Sequence, residues 1–373
     1  MGGQYRFMLT DLLTRRVLSD AVAFNVTSYA RALNGAADCT GTLDLADPTL
    51  HRLTDPVGAT EPRRTALWVI RDTALVWGGI IWTRRYSPAN RNLEITASTP
   101  ESYFTRRIIR ETLRYTQVGQ HDIIRHLINY AQATHHSNIG VQVPAGSLGG
   151  TPRDRTYLWH EVGKVWERIS ELCDVDGGPD ATLTPDWTAT GQPGWALNVG
   201  TPLGAVRNLE LDFPGSVHDY NWPEDGGNSA NSITAVGGTI TDPSGTGGND
   251  EPVIRQARVP AEWDVGIPLL EDTTSYSDVT RADTLAAHAR ADVQAAAGNR
   301  IVPELTIRLL DNDDLPQPGD AYRLRITDPY RFPPDPVTGG PGLVVPKVRV
   351  TSWTVNVSDA EGETVTLTVA GVS

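Results

Sequence analysis

Cysteine, methionine and lysine are scarce in this chain of 373 residues, which holds two cysteines and two methionines. Cys39 and Cys173 lie far apart and read as buried free thiols, not as a disulfide framework. Lysine occurs only at Lys164 and Lys347, so nearly all basic charge is arginine. No run of 18 apolar residues occurs, which excludes a helical membrane span and, with it, a membrane anchor of that kind. The start, MGGQYRFMLTDLL, lacks the basic end and continuous apolar core of a signal peptide. Met1-Gly2 opens like a myristoylation motif, but Arg6 stands where Ser or Thr is needed. Synthesis in a cytoplasm is therefore expected. Positive charge is also in deficit: the net charge is −13. Binding nucleic acid through the overall field is excluded, because phosphate contact needs a positive surface. Apolar content of 39% and charged content of 21% fit a soluble globular chain of more than one domain.

The signatures of catalysis and metal binding are missing too. His160-Glu161-Val162-Gly163-Lys164 begins like HExxH, but lysine at 164 cannot supply the second imidazole. His135-His136 are neighbours and read as a surface pair. Asp311-Asn312-Asp313-Asp314 lacks the glycine and the twelfth-position glutamate of a calcium loop. No GxSxG, P-loop or dinucleotide fingerprint is present. No catalytic residue, cofactor or metal site is expected, and the chain does not read as an enzyme.

What is present is β pattern. Thr65–Arg71 and Ala74–Arg84 are rich in β-branched and aromatic residues, with a tight turn at Asp72-Thr73. The second strand is apolar on both faces, so both must be covered. Gly78-Gly79 within it predicts a bulge, a bend or a close backbone approach. Arg91–Ala97 reads as a third strand of a curled antiparallel meander. Tyr5–Asp11, Val17–Thr27 and Thr40–Leu45 complete an all-β region, with a turn at Asn34-Gly35. The period then changes. Thr99-Pro100 reads as a helix start, and Phe104, Ile108, Ile109 and Leu113 as its apolar stripe. Arg106, Arg110 and Arg114 fall at i, i+4 and i+8 with Arg107 beside them. The row is either a solvated face or a protein–protein interface with an acidic neighbour. His121–His135 and Trp159–Leu172 read as two further helices. Short strands follow at Trp195–Val199, Val206–Phe213 and Ser232–Thr241, then a loop over Pro243–Glu251. Thr280 with Asp283 resembles a capping box before an Ala-rich helix, Leu285–Ala297, stopped by Gly298. Four strands end the chain: Glu304–Leu310, Ala321–Thr327, Val345–Val357 and Thr364–Val369.

The order and spacing of these pieces resemble a known family. Tyr5–Asp11, SYARALNGAADCTGTLDLADP at 28–48, RTALWVIRDTALVWGGIIW at 64–82 and TPESYFTRRIIRETLRY at 99–115 are similar to the tail hub, or baseplate hub, proteins of long-tailed bacteriophages. The likeness is to the minor tail proteins of actinobacterial phages. It extends to TPRDRTY at 151–157 and PGDAYRLRI at 318–326. The resemblance implies a multidomain, mainly β chain with α segments: two tail-tube-like antiparallel β-barrels and an inserted α-containing domain. The first barrel would be 1–100, completed by strands within 203–225. The insert would be 101–202, and the second barrel with an appended helical part 226–373. The implied role is a homotrimeric structural hub at the tail tip of the virion. It would adapt the sixfold tail tube to a threefold tip and enclose the channel for the tape measure protein and DNA. Implied partners are distal tail and tail-tube proteins and a central tip or fibre protein, with no stable nucleic-acid binding. Two rival classes are a cell-wall-degrading tail enzyme and a carbohydrate-binding adhesin. Trp187, Trp195, Trp222 and Trp263, set among Pro and Gly, are the tryptophans an adhesin would use. Trp68, Trp77, Trp82 and Trp353 fit a core.

Overall fold

The computed structural model describes residues 4–47, 55–175, 177–239, 251–276, 279, 281–298, 300–308, 315–358 and 362–371. The calls on Asp311–Asp314, on Thr280 and on most of the 243–251 loop lie outside them. Along the chain come strands β1 (Tyr5–Asp11), β2 (Val17–Val22), β3 (Phe24–Ala32) and β4 (Asp38–Asp44), then the short helix α1 (Pro56–Ala59). The meander follows as β5 (Thr65–Arg71), β6 (Ala74–Ser87) and β7 (Asn92–Ser98). Next are α2 (Glu101–Phe104), β8 (Leu113–Gly119), α3 (Gln120–Ala133), β9 (Val141–Gln142), β10 (Pro152–Tyr157) and α4 (Val165–Cys173). Strands β11 (Asp180–Trp187), β12 (Pro193–Gly200), β13 (Val206–Phe213) and β14 (Val217–Asn221) lead to a compact unit over residues 222–303. That unit holds β15 (Glu224–Asp225), β16 (Ser232–Thr239), β17 (Pro252–Arg258), α5 (Ala261–Asp264), β18 (Glu271–Tyr276), α6 (Ala282–Ala296) and β19 (Arg300–Ile301). Strands β20 (Glu304–Arg308), β21 (Ala321–Ile326), β22 (Leu343–Ser358) and β23 (Gly362–Ala370) return to the first unit, which comprises residues 1–221 and 304–372.

One sheet dominates the first unit, in the order β14-β20-β23-β22-β3-β4-β7-β6-β5-β1-β2, with β21 pairing both β22 and β13. The N-terminal and C-terminal strands are thus one hydrogen-bonded surface, joined where β22 pairs β3 from Ser352↔Ala32 to Asn356↔Ser28. Two closed barrels were expected; among the described residues the main sheet is open. The meander stands as expected, with Asp72 at φ 55° in the hairpin turn and Arg71 opposite Ala74. The Val17–Thr27 run is two strands, divided at Ala23.

All seven residues of β5 are buried. On one face Ala66, Trp68 and Ile70 join Ile80 of β6 in a core with Ile123, Ile124 and Leu127 of α3 and Ile169 of α4. Trp195 of β12 closes this core: its ring lies 4.5 Å from that of Trp68 and its Nε1 donates to the Gly78 carbonyl at 3.0 Å. A Cβ on Gly78 would sit 2.4 Å from the Trp68 ring, so the glycine there is a close-approach residue. Next to it, a Cβ on Gly79 would meet the Trp77 ring at 2.3 Å.

The chain's two ends share a buried ion pair. Arg71 Nε donates to Glu363 Oε2 at 2.9 Å, with the side chains 5% and 3% exposed. Tyr5 and Tyr29 lie beside it, their hydroxyls 3.1 Å apart. A charge buried this deeply is tolerable only with its partner in place.

Residues 222–303 fold around α6. The sheet order is β17-β16-β18, with β16 and β18 parallel. Leu285, Ala289 and Val293 of α6 pack on Ala235 and Ile233 of β16. Asn231, fully buried, donates to the Pro268 carbonyl and accepts from Leu270 N, both at 2.9 Å. The helix stops at Ala296, and Gly298 at φ 80° follows.

Three stability outcomes are expected. Arg71→Ala leaves Glu363 buried alone and should cost about 3–5 kcal/mol in denaturant unfolding. Gly78→Ala should cost about 1–3 kcal/mol by overpacking against Trp68. The third concerns Asp122 in α3. Burial alone would raise its pKa, but bonds from Ser147, Leu148 N, Gly149 N and Arg125 hold it down at about 2. A depressed carboxylate stabilises the fold above its unfolded pKa of about 4 and loses that contribution as pH falls toward the folded value. The stability gap between wild type and Asp122→Asn should therefore shrink between about pH 4 and pH 2. A gap constant with pH would refute the assignment.

Candidate functional site

The four arginines singled out in the sequence do not lie along a helix. Helix α2 ends at Phe104. Beyond it the backbone of 107–109 bonds to 163–165: Ile109 N donates to the Gly163 carbonyl at 2.9 Å and Val165 N to the Arg107 carbonyl at 2.8 Å. This bridge, centred on Ile108 and Lys164, also divides the expected Trp159–Leu172 helix. Trp159–Glu161 forms a single 3-10 turn, Val162 takes a left-handed φ of 51°, and α4 begins at Val165. Two segments each able to be helical exchange backbone bonds instead. Leu113 and Tyr115 are then buried by strand alternation on β8, not by helical period. Thr99 is not the cap: its Oγ1 accepts from Ala37 N at 3.0 Å, and α2 has no side-chain cap.

Each arginine has its own setting. Arg106 is exposed, with its guanidinium over the Trp82 ring at 4.3 Å. Trp82 is held in turn by an Nε1 bond to Ser102 Oγ at 2.8 Å. Arg107 lies 5.9 Å over the Tyr103 ring, whose hydroxyl donates to the Ser137 carbonyl at 3.1 Å. Arg110 is exposed, and its backbone N donates to Tyr130 Oη at 2.8 Å. Arg114 is an exposed residue of β8 paired with Thr156 of β10. Among the described residues none of the four guanidiniums is in an ion pair.

The remaining sequence candidates are structural where they are described. Glu161 pairs with Arg168 at 2.8 Å, and Arg168 also holds Glu171 at 2.8 Å. The His135 and His136 rings meet edge to face, centroids 3.7 Å apart, just beyond α3. Both cysteines are free; Cys39 is buried and Cys173 half-buried. Burial pushes the Cys173 thiol up to about 12, away from the reactive range. Trp68, Trp77 and Trp353 are core, as expected. Trp195, assigned to an adhesin's exposed set, is 2% exposed and belongs to the core. Trp187 is 36% exposed, while Trp222 and Trp263 are half-buried. Among the described residues no group of three or more His, Cys, Asp or Glu is placed to hold a metal. No helix among them is long and apolar enough to cross a membrane.

A polar node that the sequence did not suggest lies at Asp180, 7% exposed. Its carboxylate accepts from Asn34 Nδ2 at 3.3 Å, from Leu203 N at 2.8 Å and from the Arg349 guanidinium. Asn34, left-handed at φ 60°, also accepts from Ala181 N at 2.7 Å. The node ties the 34–35 turn, the start of β11 and β22 together. Only the Asn-Gly pair hinted at it, and that predicted a turn without its partner.

No protein-family model matches the sequence, and no curated protein matches it. Solved structures do match in shape. The 43 kDa tail protein of prophage MuSo2 from Shewanella oneidensis superposes with a TM-score of 0.60 at 14% identity, over 98% of both chains. The tail protein from Neisseria meningitidis MC58 gives 0.55 at 13% identity, over 98% of this chain and 96% of that one. A chain of the Francisella PdpA–VgrG complex gives 0.52 at 7% identity, over 98% of this chain and 58% of that one.

One outcome tests the local geometry. A double-mutant cycle of Arg106→Ala and Trp82→Ala should return a coupling of about 0.5–1 kcal/mol, the range of an exposed cation–π pair. Across nearly its whole length, the chain carries the fold seen in phage tail proteins.

Proposed function

We propose that this chain is a structural hub at the distal end of a phage tail. The observation that carries the reading is a fold match over 98% of both chains to a phage tail protein. In this reading three copies form a ring between the tail tube and a central tip or fibre, around the channel that tape measure and DNA pass.

Two features support the finer parts. The strand path β13-β21-β22-β23-β20-β14 begins and ends on strands adjacent in sequence. Phe213 and Tyr220 touch across that turn, ring centroids 4.9 Å apart. Such a path, turned back on itself, is suited to a second tube-like barrel, with β1–β7 as the first. The net charge of −13 suits a wall that DNA must pass without sticking. Carboxylates repel phosphate over about a Debye length, roughly 8 Å at physiological salt.

A reconstruction of the tail should place three copies of the chain around its axis, with more carboxylates than arginines facing the lumen. Six or more equivalent copies per ring would refute the trimer. Arg110→Glu should weaken assembly, and less so at high salt. Each exposed pair with an acidic neighbour contributes at most about 1 kcal/mol. Unchanged assembly at low salt would return the arginines to a solvated face.

A further inference from the structure

Two exposed surfaces of this chain, one in each compact unit, match in apolar content and oppose in charge. The first lies where residues 109–114 run beside 156–163. Arg114 pairs with Thr156 across β8 and β10, Trp159 N donates to Thr112 Oγ1 at 3.4 Å, and Ile109 N donates to the Gly163 carbonyl at 2.9 Å. Arg110 therefore sits on a turn opposite Trp159–Val162. Trp159 is 61% exposed and Val162 54%; His160, Arg110 and Arg114 are exposed around them. Val162 is β-branched and left-handed at φ 51°, a conformation such residues rarely take. Strain of this kind collects at binding surfaces. Trp and Arg are also the residues that anchor protein interfaces. The carboxylates nearby are Glu111, exposed on the turn, Glu161, held by Arg168 at 2.8 Å, and Asp154, which accepts from Gln117 N at 2.7 Å. Arg110, Arg114, Arg155 and Arg168 outnumber them, so the patch is basic on a chain that is acidic as a whole.

The second surface follows α5 in the unit of residues 222–303. Asp264, Val265, Ile267, Leu269, Glu271 and Asp272 are all exposed there, Val265 by 77% and Leu269 by 51%. The run is held in shape by its backbone. Ile267 N donates to the Glu262 carbonyl at 3.0 Å, Gly266 turns at φ 91°, and the buried Asn231 holds Pro268 O and Leu270 N. Among the described residues none of the three carboxylates is in an ion pair. A segment already in shape loses little conformational freedom on docking. Contiguous exposed apolar surface rimmed by charge marks a protein contact.

We propose that these two surfaces dock on each other between copies. The 264–272 strip of one copy covers Trp159 and Val162 of the next, with its carboxylates facing Arg110 and Arg114. The occupant is a second copy because the chain itself carries the complementary face: carboxylates for the arginines, and Val265 and Leu269 for the indole. A contact between two different surfaces is head-to-tail, and it closes into a ring when the rotation allows. The contact deepens the ring reading above and rests on it only for the number of copies.

The experiment is sedimentation velocity of the full chain at low salt, with two variants. One carries Trp159→Ala and Arg110→Glu on the patch. The other carries Leu269→Ala and Glu271→Arg on the strip. All four side chains are exposed, so both variants should melt at the wild-type temperature. Wild type should self-associate with a dissociation constant below about 100 µM. Each variant alone should associate at least about tenfold more weakly. Mixed, the two should form a heterodimer, because the first keeps its strip and the second keeps its patch. Association should weaken as salt rises from about 0.05 to about 0.5 M. Wild type that stays monomeric, as it would if the patch were covered by another protein or by the chain's own strip, would overturn the proposal. So would variants that assemble like wild type, or a mixture without a heterodimer. A trimer that survives in both variants would remove this contact and leave the ring reading standing. Association through this contact into an open chain would keep it and count against the three-copy ring.

Discussion

The pairing of β3 with β22 is the constraint on which the larger unit depends. Residues 28–32 and 352–356 are separated by over three hundred positions, yet they share one ladder. Without it the N-terminal meander and the C-terminal strands would be two half-covered sheets. The seam is reinforced by side chains beside it. Tyr29 meets Trp353 edge to face at 5.7 Å, and Arg71 of β5 is buried against Glu363 of β23. These are long-range contacts, formed only after the loop entropy of most of the chain has been overcome. They make the unit cooperative: a change at either end of the chain is felt at the other.

The segment between the two strand groups does a second job. Helices α3 and α4, with β11 and β12, cover the face of the meander that would otherwise be an apolar surface. Trp195 is the clearest contributor, since it fills the space left by Gly78. Small and large residues are complementary here: the glycine lets the indole approach, and the indole accounts for the glycine. The Asp180 node then fixes the insert to β22 through Arg349. A part that reads in sequence as an independent domain therefore shares its core with the strands before it.

Shape agrees where sequence does not. At 14% identity with a TM-score of 0.60 over nearly all of both chains, few side chains can be common to the two. What a fold needs at this distance is apolar alternation on strands, turns in the right places and covered faces. Many residue choices meet those demands. Function does not follow from fold alone, which is why the hub reading stands on assembly tests.

Much of the secondary structure was legible because its signal is local. The 65–84 hairpin, the Ala-rich helix near 285–297 and the last four strands follow from alternation, helical period and turn residues within each segment. The open sheet was not legible, because which strand pairs with which is decided by partners far along the chain. The arginine row shows the limit most plainly. Phe104, Ile108, Ile109 and Leu113 fit a helical stripe, and a short apolar run cannot by itself exclude a strand. The bonds between 107–109 and 163–165 decided the matter. The same holds for the buried polar groups. Sequence shows an arginine at 31, 71 or 349 but not its surroundings. Only the tertiary structure set Arg71 against Glu363, Arg349 against Asp180, and Arg31 against Gln317. Local propensity acts over a few residues, whereas desolvation and charge pairing depend on everything that packs around a group.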